Sequence, residues 1–202
     1  IAAGLRWLWS KPLIRFMAFL TGGINLVNAA MPLLIIVLAK ELGAGDAQIG
    51  IIFSIGGAGA ILGSLVGGRI QRRFTFGQVI IATMWLAACA FLLFAVAPGY
   101  IWLGVLAALF SFVGPVYNVV QFSYRVALIP DELQGRVNST FRLLAFGFMP
   151  IGAALSGIVI EHYGVELAIA LFAACLFVLA ILTSLNRHVR EAPSIERAST
   201  VG

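Results

Sequence analysis

Residues 47–74 read AQIGIIFSIGGAGAILGSLVGGRIQRRF, and this stretch decides the fold. Residues 47–66 contain no charged side chain, and a spanning helix needs roughly 20 mostly apolar residues. A helix advances about 100° per residue, so positions three and four apart share a face. Gly56, Ala60, Gly63 and Gly67 lie on one such face, and Gly59, Gly63 and Gly67 make two overlapping GxxxG steps. Small residues let a neighbouring backbone approach closely, which is how helices pack where lipid removes the hydrophobic driving force. The stretch therefore predicts a membrane-spanning helix with a packing face, closed off by Arg69, Arg72 and Arg73.

Outward from it, five more runs of the same kind follow, giving expected helices at 16–38, 47–66, 76–97, 101–126, 137–160 and 165–185. The chain reads as an all-α integral membrane protein of six transmembrane helices, with a cytoplasmic flank at 1–15, a half-bundle over 16–190 and a polar, disordered tail at 191–202. Bulk composition agrees: 61% of residues are hydrophobic, 10% are charged, and the mean hydropathy is +1.05, outside the range of water-soluble domains. Cytoplasmic loops carry an excess of Lys and Arg. With alternating spans, Lys40 is the only basic residue on the second side, so both termini are expected in the cytoplasm. Topology accounts for the net charge of +5. No basic run exceeds two residues, so a nucleic-acid partner is not expected.

Polar and small residues are distributed unevenly among the six runs. On the first, Thr21, Asn25, Asn28 and Pro32 fall within an arc of about 60°. On the fourth, Ser111, Gly114, Asn118, Gln121 and Arg125 fall within about 80°, flanked by Tyr117 and Tyr124. An amide facing lipid leaves donors and acceptors unpaired, so both stripes are expected to face the protein interior or a watery cavity. The fifth run repeats the glycine face of the second more weakly, through Ser139, Gly147, Pro150, Ala154 and Gly157, while the third and sixth are bland. Polar, glycine-rich, bland, twice over, makes two three-helix repeats. An odd number of spans inverts the second relative to the first, as in many secondary transporters. Proline removes a helix hydrogen bond, so kinks are expected at Pro115 and Pro150.

The substrate-cavity candidates are Asn25, Asn28, Tyr117, Asn118 and Gln121; for the amides, hydrogen bonding between helices is the other reading. Gly56, Gly59, Gly63, Gly67, Gly147 and Gly157 are candidates for helix packing. Cys89 and Cys175 lie in apolar runs and act as small apolar side chains, so no metal or other cofactor is expected. No catalytic residue is assigned: the sequence lacks G-x-S-x-G, H-E-x-x-H and Walker motifs and any paired intramembrane carboxylates, and an enzyme is not expected. No Asp, Glu, Lys or His falls mid-span, leaving ion coupling without a candidate.

Three segments, GLRWLWSKPLIRF from 4, AQIGIIFSIGGAGAILGSLVGGRIQRRF from 47 and IPDELQGRVNSTFRLLAFGFMPIGAALSGIV from 129, together resemble the C-terminal half of the major facilitator superfamily. The likeness is to its bacterial drug and siderophore exporters, of the macrolide-efflux and enterobactin-exporter kind. The resemblance implies a twelve-helix, multi-pass transporter of the bacterial inner membrane that exports a small amphipathic molecule by alternating access. In it the first and fourth helices line the cavity, the second and fifth contact the other half, and the third and sixth support them. Residues 67–73 stand where the family has a loop motif, making Arg69, Arg72 and Arg73 candidates for a cytoplasmic gating loop. Gln71 replaces its usual aspartate and Phe74 its second glycine. Besides lipid and the small-molecule substrate, the expected partner is an N-terminal six-helix half encoded upstream of Ile1. A second copy of the chain, in a homodimer or a scaffold that transports nothing, is the alternative.

Overall fold

The computed structural model describes residues 2–192, and all secondary structure among them is helical. In chain order the helices are α1 (Ala2–Ser10), α2 (Pro12–Glu41), α3 (Asp46–Arg73), α4 (Phe76–Leu92, prolonged by a 3₁₀ turn Leu93–Val96), α5 (Tyr100–Leu128), α6 (Gln134–Gly147), α7 (Met149–Leu185) and the short α8 (Arg187–Arg190). Local chemistry marks several boundaries. Pro12 opens α2, where its missing N–H costs nothing. Gly43 ends it with φ of 77°, letting the Ala44 N–H reach back to the Ala39 carbonyl. Thr75 caps α4 by accepting from the Gln78 N–H, while the Gln78 side chain accepts from the Thr75 N–H.

Five helical stretches are long and apolar enough to cross a membrane, one fewer than the sequence suggests. The difference lies in residues 131–185, which form one stretch of 55 residues holding both the fifth and sixth expected runs. At about 1.5 Å per residue such a stretch is more than twice the thickness of a bilayer core. It is not straight: Gly164 has φ of 86° and ψ of 167°, outside the helical region and open mainly to glycine. The expected kink at Pro150 is a break: α6 stops at Gly147 and α7 starts at Met149. Pro32 and Pro115, by contrast, are accommodated inside continuous helices.

Other boundaries shift too. The flank 1–15 is largely helical, with the α1 side chain of Leu8 fully buried. Arg69 and Arg72, with Arg73, sit on the last turns of α3 and not in a loop, because the helix continues until Phe74. Of the expected tail, Glu191 and Ala192 are described and Ala192 is buried; the rest lies outside the described residues.

The bundle is held by close backbone contacts at small residues. A Cβ on Gly59 or Gly63 would run into the carbonyl oxygens of Ala108 or Phe112, so α3 lies directly on α5. Gly152 of α7 meets the Leu26 carbonyl of α2 in the same way, and Gly22 of α2 meets the Phe148 ring. The glycine face of α3 is thus filled by α5 of the same chain and does not remain open to another half. Gly56 and Gly67 make ordinary contacts with Ala107 and Val119, whereas Gly147 and Gly157 have open space where a Cβ would be.

The core divides into two apolar clusters. One gathers Val27 to Ala39 side chains of α2 with Ile52, Phe91, Leu103 and Phe172; the other gathers Ile14, Met17 and Leu20 of α2 with Met84, Tyr124 and Phe141. Between them, neither Thr21 nor Asn25 on α2, nor Gly114 on α5, belongs to a cluster. Many outward side chains are large and apolar, such as Ile61, Leu65 and Leu143, the surface that hydrocarbon solvates. Replacing Gly63 by Leu is expected to lower stability by about 1–3 kcal/mol in thermal melts of the detergent-solubilised protein, because the α5 backbone must retreat. Gly57→Leu, where nothing lies within 4 Å of an added Cβ, should melt like wild type.

Candidate functional site: a polar groove between α2 and α5

The gap between the two apolar clusters is where the polar stripes meet. Three adjoining recesses share lining residues and form one groove along α2 and α5. The end lined by Asn28, Pro32, Gly56 and Ser111 holds about 400 Å³. A narrow waist of about 40 Å³ passes Asn25, Asn28, Gly114, Tyr117 and Asn118. The far end, about 530 Å³, is lined by Thr21, Asn25, Asn118, Gln121, Phe122 and Arg125, with Phe141, Arg142 and Phe146 from α6. The waist lies near the middle of α2 and α5, since apolar clusters occupy both ends of each helix.

All five cavity candidates line this groove, but they do different jobs. Tyr117 is buried, and its hydroxyl lies 2.8 Å from Thr21 Oγ1. Thr21 donates its own proton to the Met17 carbonyl at 2.8 Å, so Tyr117 is the donor of the pair. This bond ties α5 to α2. Asn25 Nδ2 donates to the Ala145 carbonyl at 2.9 Å, in the last turn of α6, where the break leaves carbonyls without helical partners. Asn25 therefore does structural work while one side of it lines the groove. Asn28 and Asn118 are exposed and make no side-chain hydrogen bond among the described residues. Gln121 is 3% exposed, and its Nε2 has no partner among the described residues.

The packing glycines and the α3 arginines are mostly elsewhere. Gly56 lines one end of the groove, Gly59 and Gly63 lie in the α3–α5 seam, and Gly147 and Gly157 line none of its three parts. Arg69, Arg72 and Arg73 are exposed and outside the groove. Two features escaped the sequence reading. Arg125, placed on the inward-facing stripe but not among the cavity candidates, is 5% exposed and lines the groove. The contribution of α6, through Phe141, Arg142 and Phe146, carries no stripe of its own in the sequence. Among the described residues no three His, Cys, Asp or Glu side chains gather as a metal site.

A membrane-embedded helical bundle with a polar groove at mid-height has the architecture of a solute pathway. The chain belongs to the major facilitator superfamily, whose family model matches residues 13–201. Among curated proteins it is similar to the enterobactin exporter EntS of Escherichia coli O1:K1 / APEC, 29% identical over 157 residues, and to that of Salmonella typhimurium, 28% identical over the same length. Each alignment covers 78% of this chain and 38% of the relative, so the chain spans well under half the length of the curated relatives it matches. No solved structure gives a significant match.

If the Thr21–Tyr117 bond clamps the two stripes together, Thr21→Val and Tyr117→Phe should each destabilise the protein, and the double variant should cost less than their sum. A coupling of about 1 kcal/mol is expected from a double-mutant cycle of unfolding free energies.

Proposed function

We propose that this chain forms one half of a secondary transporter that carries a small amphipathic molecule, a drug or siderophore, out of the bacterial cell by alternating access. The observation that carries the reading is the groove: its waist, lined by Asn25, Asn28, Tyr117 and Asn118, lies near the middle of α2 and α5, and transporters of inverted-repeat design bind their solutes near the membrane midplane. Family membership supports transport over catalysis, and the exporter relatives support the outward direction. The apolar surface supports a multi-pass position in the inner membrane, with both termini cytoplasmic by the distribution of Lys and Arg.

Packing supports the inverted repeat. In this reading Gly164 separates a fifth from a sixth span, and α6 with the start of α7 makes the fifth. Then the second helix of the first repeat abuts the first of the second, at Gly59 and Gly63 on Ala108 and Phe112. Conversely the second helix of the second repeat abuts the first of the first, at Gly152 on Leu26. Such an exchange is what a two-fold axis in the membrane plane produces.

The other six helices would dock on the open side of the groove. A second small-residue face of α3, Gly50, Gly57 and Gly68, has open space around it, as do Gly147 and Gly157; we assign these, in place of Gly59 and Gly63, to the contact with the N-terminal half. Arg69, Arg72 and Arg73 would then stand at the cytoplasmic rim of that contact, where gating charges act. A second copy of the chain on the same face is the alternative partner.

Full-length protein expressed in a bacterial strain stripped of its own exporters, assayed against a panel of drugs and siderophores, should lower the retention of at least one compound. Asn118→Trp, which fills the groove without removing a hydrogen bond, should abolish that export while membrane insertion stays normal. Export unchanged by Asn118→Trp would rule out this groove as the path.

A further inference from the structure

We propose that Arg125 and Gln121 form the receiving site for an oxyanion, a carboxylate or a group of like charge, on an aromatic solute carried through the groove. This deepens the transporter reading and rests on it. Arg125 is 5% exposed and Gln121 is 3% exposed. They are four residues apart on α5, hence on one face, and both line the widest part of the groove, of about 530 Å³. Arg125 Nε and Gln121 Nε2 are buried N–H groups without a hydrogen-bond partner among the described residues. Among the described residues no carboxylate pairs with Arg125; the ion pairs are Lys40 with Asp46 and Arg187 with Glu191.

A buried guanidinium that lacks a counter-charge is costly and calls for a partner. Phe141 supplies part of one, with its ring centroid 3.8 Å from the guanidinium carbon. A ring face stabilises the charge but takes none of the in-plane N–H bonds, so that donor capacity is left unused in the wall of the recess. Every charged group lining this part of the groove is positive, Arg142 being the second, and no Asp or Glu lines it. The site is therefore built to accept, in a bidentate or charge-assisted manner, an anion and not a cation. Phe122 is 54% exposed and lies beside Arg125, 5.4 Å from ring centroid to guanidinium, offering a face to an aromatic body. The volume lies in the range of pockets for drug-sized ligands.

The test compares 2-naphthoate with its neutral isostere 2-naphthamide, titrated calorimetrically into the full-length detergent-solubilised protein. Naphthoate should bind about tenfold more tightly than naphthamide, the difference one charge-assisted contact makes. Arg125→Gln should erase the preference, bringing naphthoate down to the affinity of naphthamide, while an unchanged melting temperature reports that the bundle is intact. Arg125→Lys should keep the preference in reduced form. Equal binding of both compounds to wild type, or a preference that survives Arg125→Gln, overturns the proposal and leaves the groove standing. Failure of wild type to bind either compound, when it exports others by a path insensitive to Asn118→Trp, overturns the groove reading and this proposal with it.

Discussion

The 2.8 Å contact between Thr21 and Tyr117 stands for the constraint on which the structure depends: within hydrocarbon, polar side chains must find one another. α2 and α5 each carry a polar stripe, and in lipid neither stripe has water to turn to. Facing them together leaves the apolar sides of both helices to the two clusters and the bilayer. Once α2 and α5 are fixed in that relation, the remaining helices fill the outer positions, α3 lying on α5 and α7 on α2. The glycines make this arrangement possible, because at Gly59 and Gly63 on α5, at Gly152 on α2, and likewise at Gly4 on α6 and Gly77 on α8, helices come close enough for one backbone to touch another.

The groove exists because the stripes are not fully satisfied by each other. Thr21 and Tyr117 close on themselves, and Asn25 is spent on the broken end of α6. Asn28, Asn118, Gln121 and Arg125 retain unused capacity along a single line. A bundle selected only for stability would pair or replace such groups, since each unpaired polar atom costs free energy. Their retention beside open volume is the physical content of the transport reading.

Much of this was legible in the sequence. The long apolar runs, the two stripes and the glycine steps all follow from spacing, and the five candidates drawn from the stripes line one groove. What the sequence misassigned was direction. Helical spacing tells which glycines share a face but not which neighbour lies there, so Gly59 and Gly63 were given to an outside partner when α5 occupies them. Spacing places Arg125 on the inward stripe of α5, but only the packing of Phe141 against it reveals that the guanidinium is enclosed. The break before Met149 and the turn at Gly164 depend on backbone geometry that a run of apolar residues does not record, which is why the last two expected runs appear as one helical stretch.

The claim at the centre of this account is that the line from Asn28 to Arg125 borders a water-filled path, while the outer faces border lipid. Cysteines placed singly at Asn28 and Asn118, and at Val178 and Leu182 on the outer surface, can be challenged with a membrane-impermeant maleimide in native membranes after Cys89 and Cys175 are replaced. The account predicts that the first pair react and the second pair do not, although all four are solvent-exposed in the isolated bundle. Silence at Asn28 and Asn118 together with reaction at Val178 and Leu182 would contradict it.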